Sequence, residues 1–290
     1  MNKYRWTHKP DFFIAGMPRS GTTSMYTYLK QHPDIFLSIY KEPNYFCKDL
    51  SQSDYNVRDE ALYHSLFVHA AGKKRIGEGS VWYLTSTTAA SEIKKFSPSA
   101  KIIVMLRNPV EMIYSLHSLY LRTGNEDTVD FEQALALQTD RMKGLHIPEA
   151  CYLPEGLFYT EVAKYYEKIK RFVDMFGMQN IHFVIFEDFA GNTAQSYKDT
   201  LAFLGVDANF PAEFDLKKAD RVIRPLVLNQ IRRSHPGIKK KLAAKTGDTH
   251  KGPSRPPLPP QLRAHLQRLF REDLEKTGRL IEKNLTHWCG

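Results

Sequence analysis

GMPRSGTTSMYTYL, residues Gly16–Leu29, decides how the rest of the chain is read. Gly16 and Gly21 keep the spacing of the phosphate-binding loop G-x-x-x-x-G-K-[ST], but Thr22 stands where that loop carries its lysine and Thr23 follows it. In nucleoside triphosphatases the backbone amides of the loop cradle phosphates, the lysine reaches the β and γ phosphates, and the next hydroxyl binds Mg²⁺. Without the lysine, γ-phosphate chemistry is disfavoured. Arg19 and the hydroxyls of Ser20, Thr22, Thr23 and Ser24 line the loop instead, and a helix starting near Thr22 turns its dipole toward an anion. An anion with fewer charges at its transferring end suits this loop better than ATP with magnesium. Taken alone, the residues also read as an ordinary strand-to-helix turn with a Ser/Thr cap.

The flanks supply the fold. Asp11–Gly16 is a short apolar run ending in glycine, and Met25, Tyr28 and Leu29 follow at helical spacing, giving strand, loop and helix. Lys101–Leu106 (KIIVML) is a near-continuous apolar run, as expected of a parallel strand buried on both faces, and Pro109 sits where a first helical turn begins. Arg75–Glu78 reads as a short strand, Thr85–Phe96 as a helix ending before Pro98, and Tyr159–Phe176 as an amphipathic helix closed by Gly177 that feeds the strand Ile181–Glu187. A last helix runs from Pro260 to about Lys276. This alternation predicts an α/β, P-loop-like three-layer fold with a central parallel sheet flanked by helices, and a ligand at the carboxyl ends of the strands. Residues 122–155 are polar and rich in glycine and proline, and read as an insertion able to cover a site; residues 217–260 form a basic, proline-rich region. No linker separates domains, so 1–290 is read as one unit.

At 290 residues and a net charge of +9, the chain carries a positive field that attracts nucleotides, sulfated or phosphorylated compounds or polyanions without choosing among them. Cys47, Cys151 and Cys289 lie far apart with no histidine at zinc-ligand spacing, so they read as free thiols and no metal is expected. The N-terminus lacks the apolar core of a signal peptide and no run approaches the ~20 apolar residues of a membrane span, so a cytoplasmic protein is expected.

With MLRNPVEMIYSLHSLY, Met105–Tyr120, the chain resembles the sulfotransferases that use 3′-phosphoadenosine 5′-phosphosulfate (PAPS). PRSGTTS is similar to that family's 5′-phosphosulfate loop. Arg107 and Ser115 have the spacing of its 3′-phosphate element, an arginine after a strand and a serine eight residues later. KEPNYF, Lys41–Phe46, resembles the stretch that carries a catalytic glutamate in the heparan-type and Golgi-type branches. The resemblance implies Glu42 as general base, Arg19 as the cation on the bridging oxygen, and Ser20, Gly21, Thr22, Thr23 and Ser24 around the 5′-phosphate. THKGPSRP, Thr249–Pro256, resembles the C-terminal loop that closes over the donor, implying Lys251, Gly252 and Arg255 there. One departure stands out: in GEGSVWYLTS, Gly77–Ser86, Gly79 replaces a lysine of the heparan-type enzymes, so either Lys41 takes its part or the acceptor differs from a glycan; Ser80 and Trp82 read as lining an acceptor pocket, with Trp82 readable equally as core.

The implied reaction moves a sulfuryl group from PAPS to a hydroxyl or amine of a glycan, glycolipid or small molecule, releasing 3′,5′-ADP without a metal. Two rivals remain: a nucleotide kinase or NTPase with a degenerate loop, and a non-catalytic polyanion binder driven by the basic C-terminal third. No nucleic-acid motif is present in that third.

Overall fold

The computed structural model describes residues 8–51, 56–215 and 256–290. Its centre is β1 (Phe12–Ile14), which lies between β3 (Arg75–Gly79) and β4 (Lys101–Leu106); β2 (Ile35–Leu37) and β5 (Ile181–Ile185) complete a wholly parallel sheet of order β2-β3-β1-β4-β5. Alternate side chains of a strand point to opposite faces, and here they feed two cores. Phe12, Ile14, Ile103 and Met105 pack under α1 (Thr22–Leu29) and α10 (Thr193–Leu204). Phe13, Ile102, Val104 and Leu106 pack under α3 (Ala89–Phe96), α4 (Pro109–Thr123), α8 (Tyr166–Phe176) and α11 (Pro260–Ile281). The three layers expected from the strand and helix alternation are therefore present. Neighbouring strands also restrict sequence: a Cβ at Gly77 of β3 would lie 2.4 Å from the Phe12 ring of β1.

Several boundaries differ from the sequence expectation, each for a local reason. The helix expected from Thr85 begins at Ala89, because Ser86 Oγ accepts from the Ala89 amide at 3.0 Å while Asp49 takes the Thr87 amide at 2.7 Å, so residues 86–88 form a capping turn. A 3-10 turn over Val81–Tyr83 precedes it. The single helix expected over Tyr159–Phe176 is split into α7 (Tyr159–Val162) and α8, because Asp273 of α11 accepts from the amides of Tyr165 and Tyr166 at 2.7 and 3.2 Å and starts a new helix there. β5 stops at Ile185, where the chain turns into α9 (Phe186–Gly191). β2 and α10 were not expected, and α11 runs past Lys276 to Ile281.

Residues 122–155 contain no strand, as expected, but they are ordered around a charge. Between the end of α4 and α6 (Gln138–Arg141), Glu126 and Arg141 form a bidentate pair with N···O distances of 2.7 and 2.6 Å, both side chains 0% exposed. Burial alone would raise the Glu126 pKa; the Arg141 guanidinium, the Thr128 amide and the Tyr159 hydroxyl outweigh it and hold the carboxyl below its ordinary value. α5 (Phe131–Ala136), capped by Asp130, packs beside this pair. Removing one member would strand the other: Arg141→Ala should cost about 3–5 kcal/mol in urea unfolding. A loss below about 1 kcal/mol, the range of exposed pairs, would mean that the segment is held otherwise.

Candidate active site

The loop after β1 extends the sheet pairing before it turns. Ala15 N donates to Ile103 O at 2.8 Å and Met17 N to Met105 O at 2.9 Å, tying the loop to β4. Arg19 (φ +63°) and Gly21 (φ +83°) then take left-handed backbone, and Gly21 is the N-cap of α1. A Cβ at Gly21 would add contacts of 3.1 Å to the rings of Phe186 and Phe189. No side chain caps α1, so the ordinary Ser/Thr-capped turn is not what forms. Ser20 is fully buried, and its Oγ has no hydrogen-bond partner among the described residues. A buried hydroxyl of that kind beside an uncapped helix N-terminus suits an anionic ligand. Thr22 is buried, Thr23 exposed and Ser24 half-buried in the first turn.

The second predicted element meets the first. β4 ends at Leu106, and Asn108 caps α4 by accepting from the amides of Val110 and Glu111. Between them Arg107 donates from Nη1 to Arg19 O at 2.9 Å, and its guanidinium lies 4.5 Å from the centre of the Phe186 ring. Arg19 Nε in turn donates to Ser115 Oγ, two turns into α4, at 3.0 Å. Arg19, Arg107 and Ser115, nearly a hundred positions apart in sequence at the extremes, are thus joined. Physically this is the point where connections from adjacent strands diverge: the chain leaves β1 toward β2 on one side and leaves β4 toward β5 on the other, opening a crevice at the carboxyl edge. A groove of about 1200 Å³ continues from Ser115 along α4, bounded by residues 127–133 and by Pro256–Leu262. Lys251, Gly252 and Arg255 lie outside the described residues.

Glu42 sits at the same edge, beyond β3. Its amide donates to Gly79 O at 2.9 Å, its backbone is left-handed (φ +62°), and its carboxylate accepts from Lys41 Nζ at 2.5 Å. A Cβ at Gly79 would lie 3.2 Å from Tyr26 Cδ2, and Lys41 stands beside Glu42. Ser80 and Trp82 do not line an open pocket: both are buried, and Ser80 spends its hydroxyl internally. Tyr152, from the 122–155 segment, comes close enough for the Glu42 charge to help raise its pKa after the larger effect of burial.

Sequence reasoning missed Glu78, which is 0% exposed and accepts hydrogen bonds from Tyr63 and Ser80 at 2.9 and 2.8 Å and from Tyr83. The only signal for it in the sequence is a lone carboxylate between two glycines at a strand end. Burial pushes its carboxyl up to about 7, against the downward pull of the Tyr83, Ser80 and Tyr63 hydroxyls and the Lys41 charge. A pKa higher in the folded chain than in the unfolded one means that the native state binds this proton more tightly. The associated stability is full below the ordinary glutamate range and is lost as pH rises through about 7. Measured by unfolding at a series of pH values, the native chain should therefore lose stability relative to Glu78→Gln between pH 4.5 and 7; a pH-independent difference would show that Glu78 has an ordinary pKa. At the loop, Gly21→Ala should cost on the order of 1–3 kcal/mol in the same assay, because the new side chain must hold a left-handed backbone.

A phosphate-type loop meeting an arginine and a serine across a switch point of a parallel sheet gives a P-loop-like α/β protein. A family model described as a sulfotransferase domain matches residues 9–278, and the chain belongs to the sulfotransferase family. It is 30% identical to mouse carbohydrate sulfotransferase 15 over 189 residues (51% of this chain, 32% of that one). It is also 30% identical to human heparan sulfate glucosamine 3-O-sulfotransferase 6 over 101 residues (35% of this chain, 28% of that one). The chain spans about a third or less of the length of these two curated relatives. Among solved structures it resembles a sulfotransferase from Alicyclobacillus acidocaldarius, with TM-score 0.77, 28% identity, and 97% and 98% of the two chains covered. It shares the fold of a mouse sulfotransferase complexed with PAP, with TM-score 0.52, 17% identity, and 94% and 88% covered. Among the described residues, no group of three or more His, Cys, Asp or Glu side chains is placed to hold a metal, and no helix is long and apolar enough to cross a membrane.

Proposed function

We propose that the chain transfers a sulfuryl group from PAPS to a hydroxyl or amine of a carbohydrate acceptor. The observation that carries this reading is the Arg107–Arg19–Ser115 junction, which joins a 5′-anion loop to a second phosphate-binding element at one crevice. A nucleotide bearing both a 5′-phosphosulfate and a 3′-phosphate uses both; ATP uses only one. The similarity to carbohydrate and heparan sulfate sulfotransferases supports a glycan acceptor.

Each residue then has a defined task. The first-turn amides and hydroxyls of Thr22, Thr23 and Ser24, with the Ser20 hydroxyl, hold the 5′-phosphate, and Arg107 and Ser115 hold the 3′-phosphate. Arg19 stabilises the negative charge that grows on the bridging oxygen as 3′,5′-ADP leaves, the electrostatic role that dominates related phosphoryl transfers. Glu42 takes the proton from the acceptor hydroxyl or amine as the S–O or S–N bond forms, with Lys41 steadying the carboxylate. Tyr152 brings the 122–155 segment to the acceptor side.

A thermal-shift series with 3′,5′-ADP, 5′-AMP and ATP-Mg should rank 3′,5′-ADP first, because only a ligand that binds the native state stabilises it. Preference for ATP-Mg would overturn the assignment in favour of a kinase-like protein. Arg107→Ala should weaken 3′,5′-ADP binding by at least about tenfold, the size of one lost charge-assisted hydrogen bond. In transfer of labelled sulfate from PAPS to heparan sulfate as acceptor probe, Glu42→Gln should lower turnover on the order of 10²-fold or more while 3′,5′-ADP affinity stays unchanged.

A further inference from the structure

The Glu42 carboxylate is presented on a turn that the backbone disfavours. Glu42 and Asn44, on either side of Pro43, both have left-handed backbone (φ +62° and +50°), a conformation that asparagine tolerates but that is costly for Glu42 and persists there only where surrounding contacts hold it. Two of those contacts come from the end of β3: Gly79 O accepts from the Glu42 amide, and Ser80 Oγ accepts from the Asn44 amide at 3.0 Å. On the far side, Arg58 Nη1 donates to Asn44 O at 3.1 Å and the Val57 amide to Pro43 O at 2.8 Å.

The Ser80 contact depends on where one proton points. A serine hydroxyl has one hydrogen to donate and lone pairs to accept with. Ser80 gives its hydrogen to Glu78 Oε2 at 2.8 Å, which leaves the oxygen to accept from Asn44. Glu78 Oε1 meanwhile takes the hydroxyl protons of Tyr63 and Tyr83. Three donors converge on one buried carboxylate, a set that the ionised form satisfies completely and the protonated form does not. Protonation adds a hydrogen that itself needs an acceptor, and Ser80, on the same oxygen Oε2, is the hydroxyl placed to turn its own hydrogen away and accept it.

We infer that Glu78 is a positioning residue for Glu42: by orienting the Ser80 hydroxyl as an acceptor for the Asn44 amide, it clamps the strained turn on which the Glu42 carboxylate is carried. This rests on the reading of Glu42 as the base, but it is tested without donor or acceptor. The groups around Glu78 are Tyr63 on α2 (Glu60–Ser65), Tyr83 on the 3-10 turn, Tyr26 on α1, and Cys47 and Lys41 on the segment after β2. The tyrosines and the thiol have pKa values raised by burial and stay neutral, so Lys41 is the charged neighbour.

The experiment is NMR-detected amide exchange on the full chain, read at Asn44, with the β4 amides of Lys101–Leu106 as the internal control for global opening. At pH 8, Ser80→Ala and Glu78→Gln should each speed Asn44 exchange at least about tenfold, leaving β4 unchanged. The double variant should exchange no faster than Ser80→Ala, because both substitutions cut one connection. In the unsubstituted chain, after correction for the intrinsic pH dependence of exchange, Asn44 protection should fall as pH drops through about 7, the Glu78 pKa; that profile should be flat in Ser80→Ala. A merely structural Glu78 would accelerate β4 and Asn44 together and give no such profile. Wild-type protection of Asn44 in Glu78→Gln, or additive effects in the double variant, would overturn the inference, and the pH profile of the unsubstituted chain decides it even if Glu78→Gln fails to fold. Failure of the donor assignment shows separately, as absence of 3′,5′-ADP binding in the unsubstituted chain.

Discussion

The constraint on which the site depends is the close pairing of β1 with β4 carried past the end of the strand into the loop. The hydrogen bonds of Ala15 and Met17 to Ile103 and Met105 leave the chain no room to turn gradually. Gly16 is therefore hemmed in, with a hypothetical Cβ 2.6 Å from Thr22 Cγ2 and 3.0 Å from Met105 O. The reversal is concentrated in left-handed steps at Arg19 and Gly21. That geometry does two things together. It starts α1 without a side-chain cap, and it lays the Arg19 carbonyl and guanidinium against Arg107 and Ser115. One backbone pairing thus brings Arg19, Arg107 and Ser115 together.

Two fully buried carboxylates show how environment sets the direction in which a pKa moves. Glu126 faces a guanidinium, two backbone amides and a tyrosine, so despite its burial its pKa falls, and the pair it makes with Arg141 orders the 122–155 segment. Glu78 faces three hydroxyls and a more distant lysine, so burial wins and its pKa rises. A carboxylate with an ionic partner in contact stays charged at ordinary pH values; one held by hydroxyls with only a distant cation titrates near neutral pH. The second kind lies directly beneath the turn that bears Glu42.

Much of this was legible in the sequence, and the reasons are specific. Phe12–Ile14 and Lys101–Leu106 read as strands because burial on both faces removes polar positions, and the two loops that follow them carry basic and hydroxyl residues suited to anions. Where a structure depends on distant partners, the sequence is silent. The break before Tyr165 comes from Asp273 on another helix, more than a hundred residues away. β2 is three residues long and too short for a periodic pattern. The role of Glu78 arises from tyrosines on α2 and on the turn after β3, and no local spacing announces it. Ser80 was expected at an open pocket and is buried instead, because that turn folds back under the 41–44 loop, while Trp82 takes its alternative reading as core.

The central claim is that the loop after β1 and the element after β4 form one site that reads both phosphates of its nucleotide. The most direct measurement is calorimetric titration of the chain and of Ser115→Ala with 3′,5′-ADP and with 5′-AMP. A single site predicts much tighter binding of 3′,5′-ADP by the unsubstituted chain and loss of most of that preference in Ser115→Ala, with 5′-AMP little affected. Equal affinity for the two nucleotides in the unsubstituted chain, or a preference that survives the substitution intact, would contradict it.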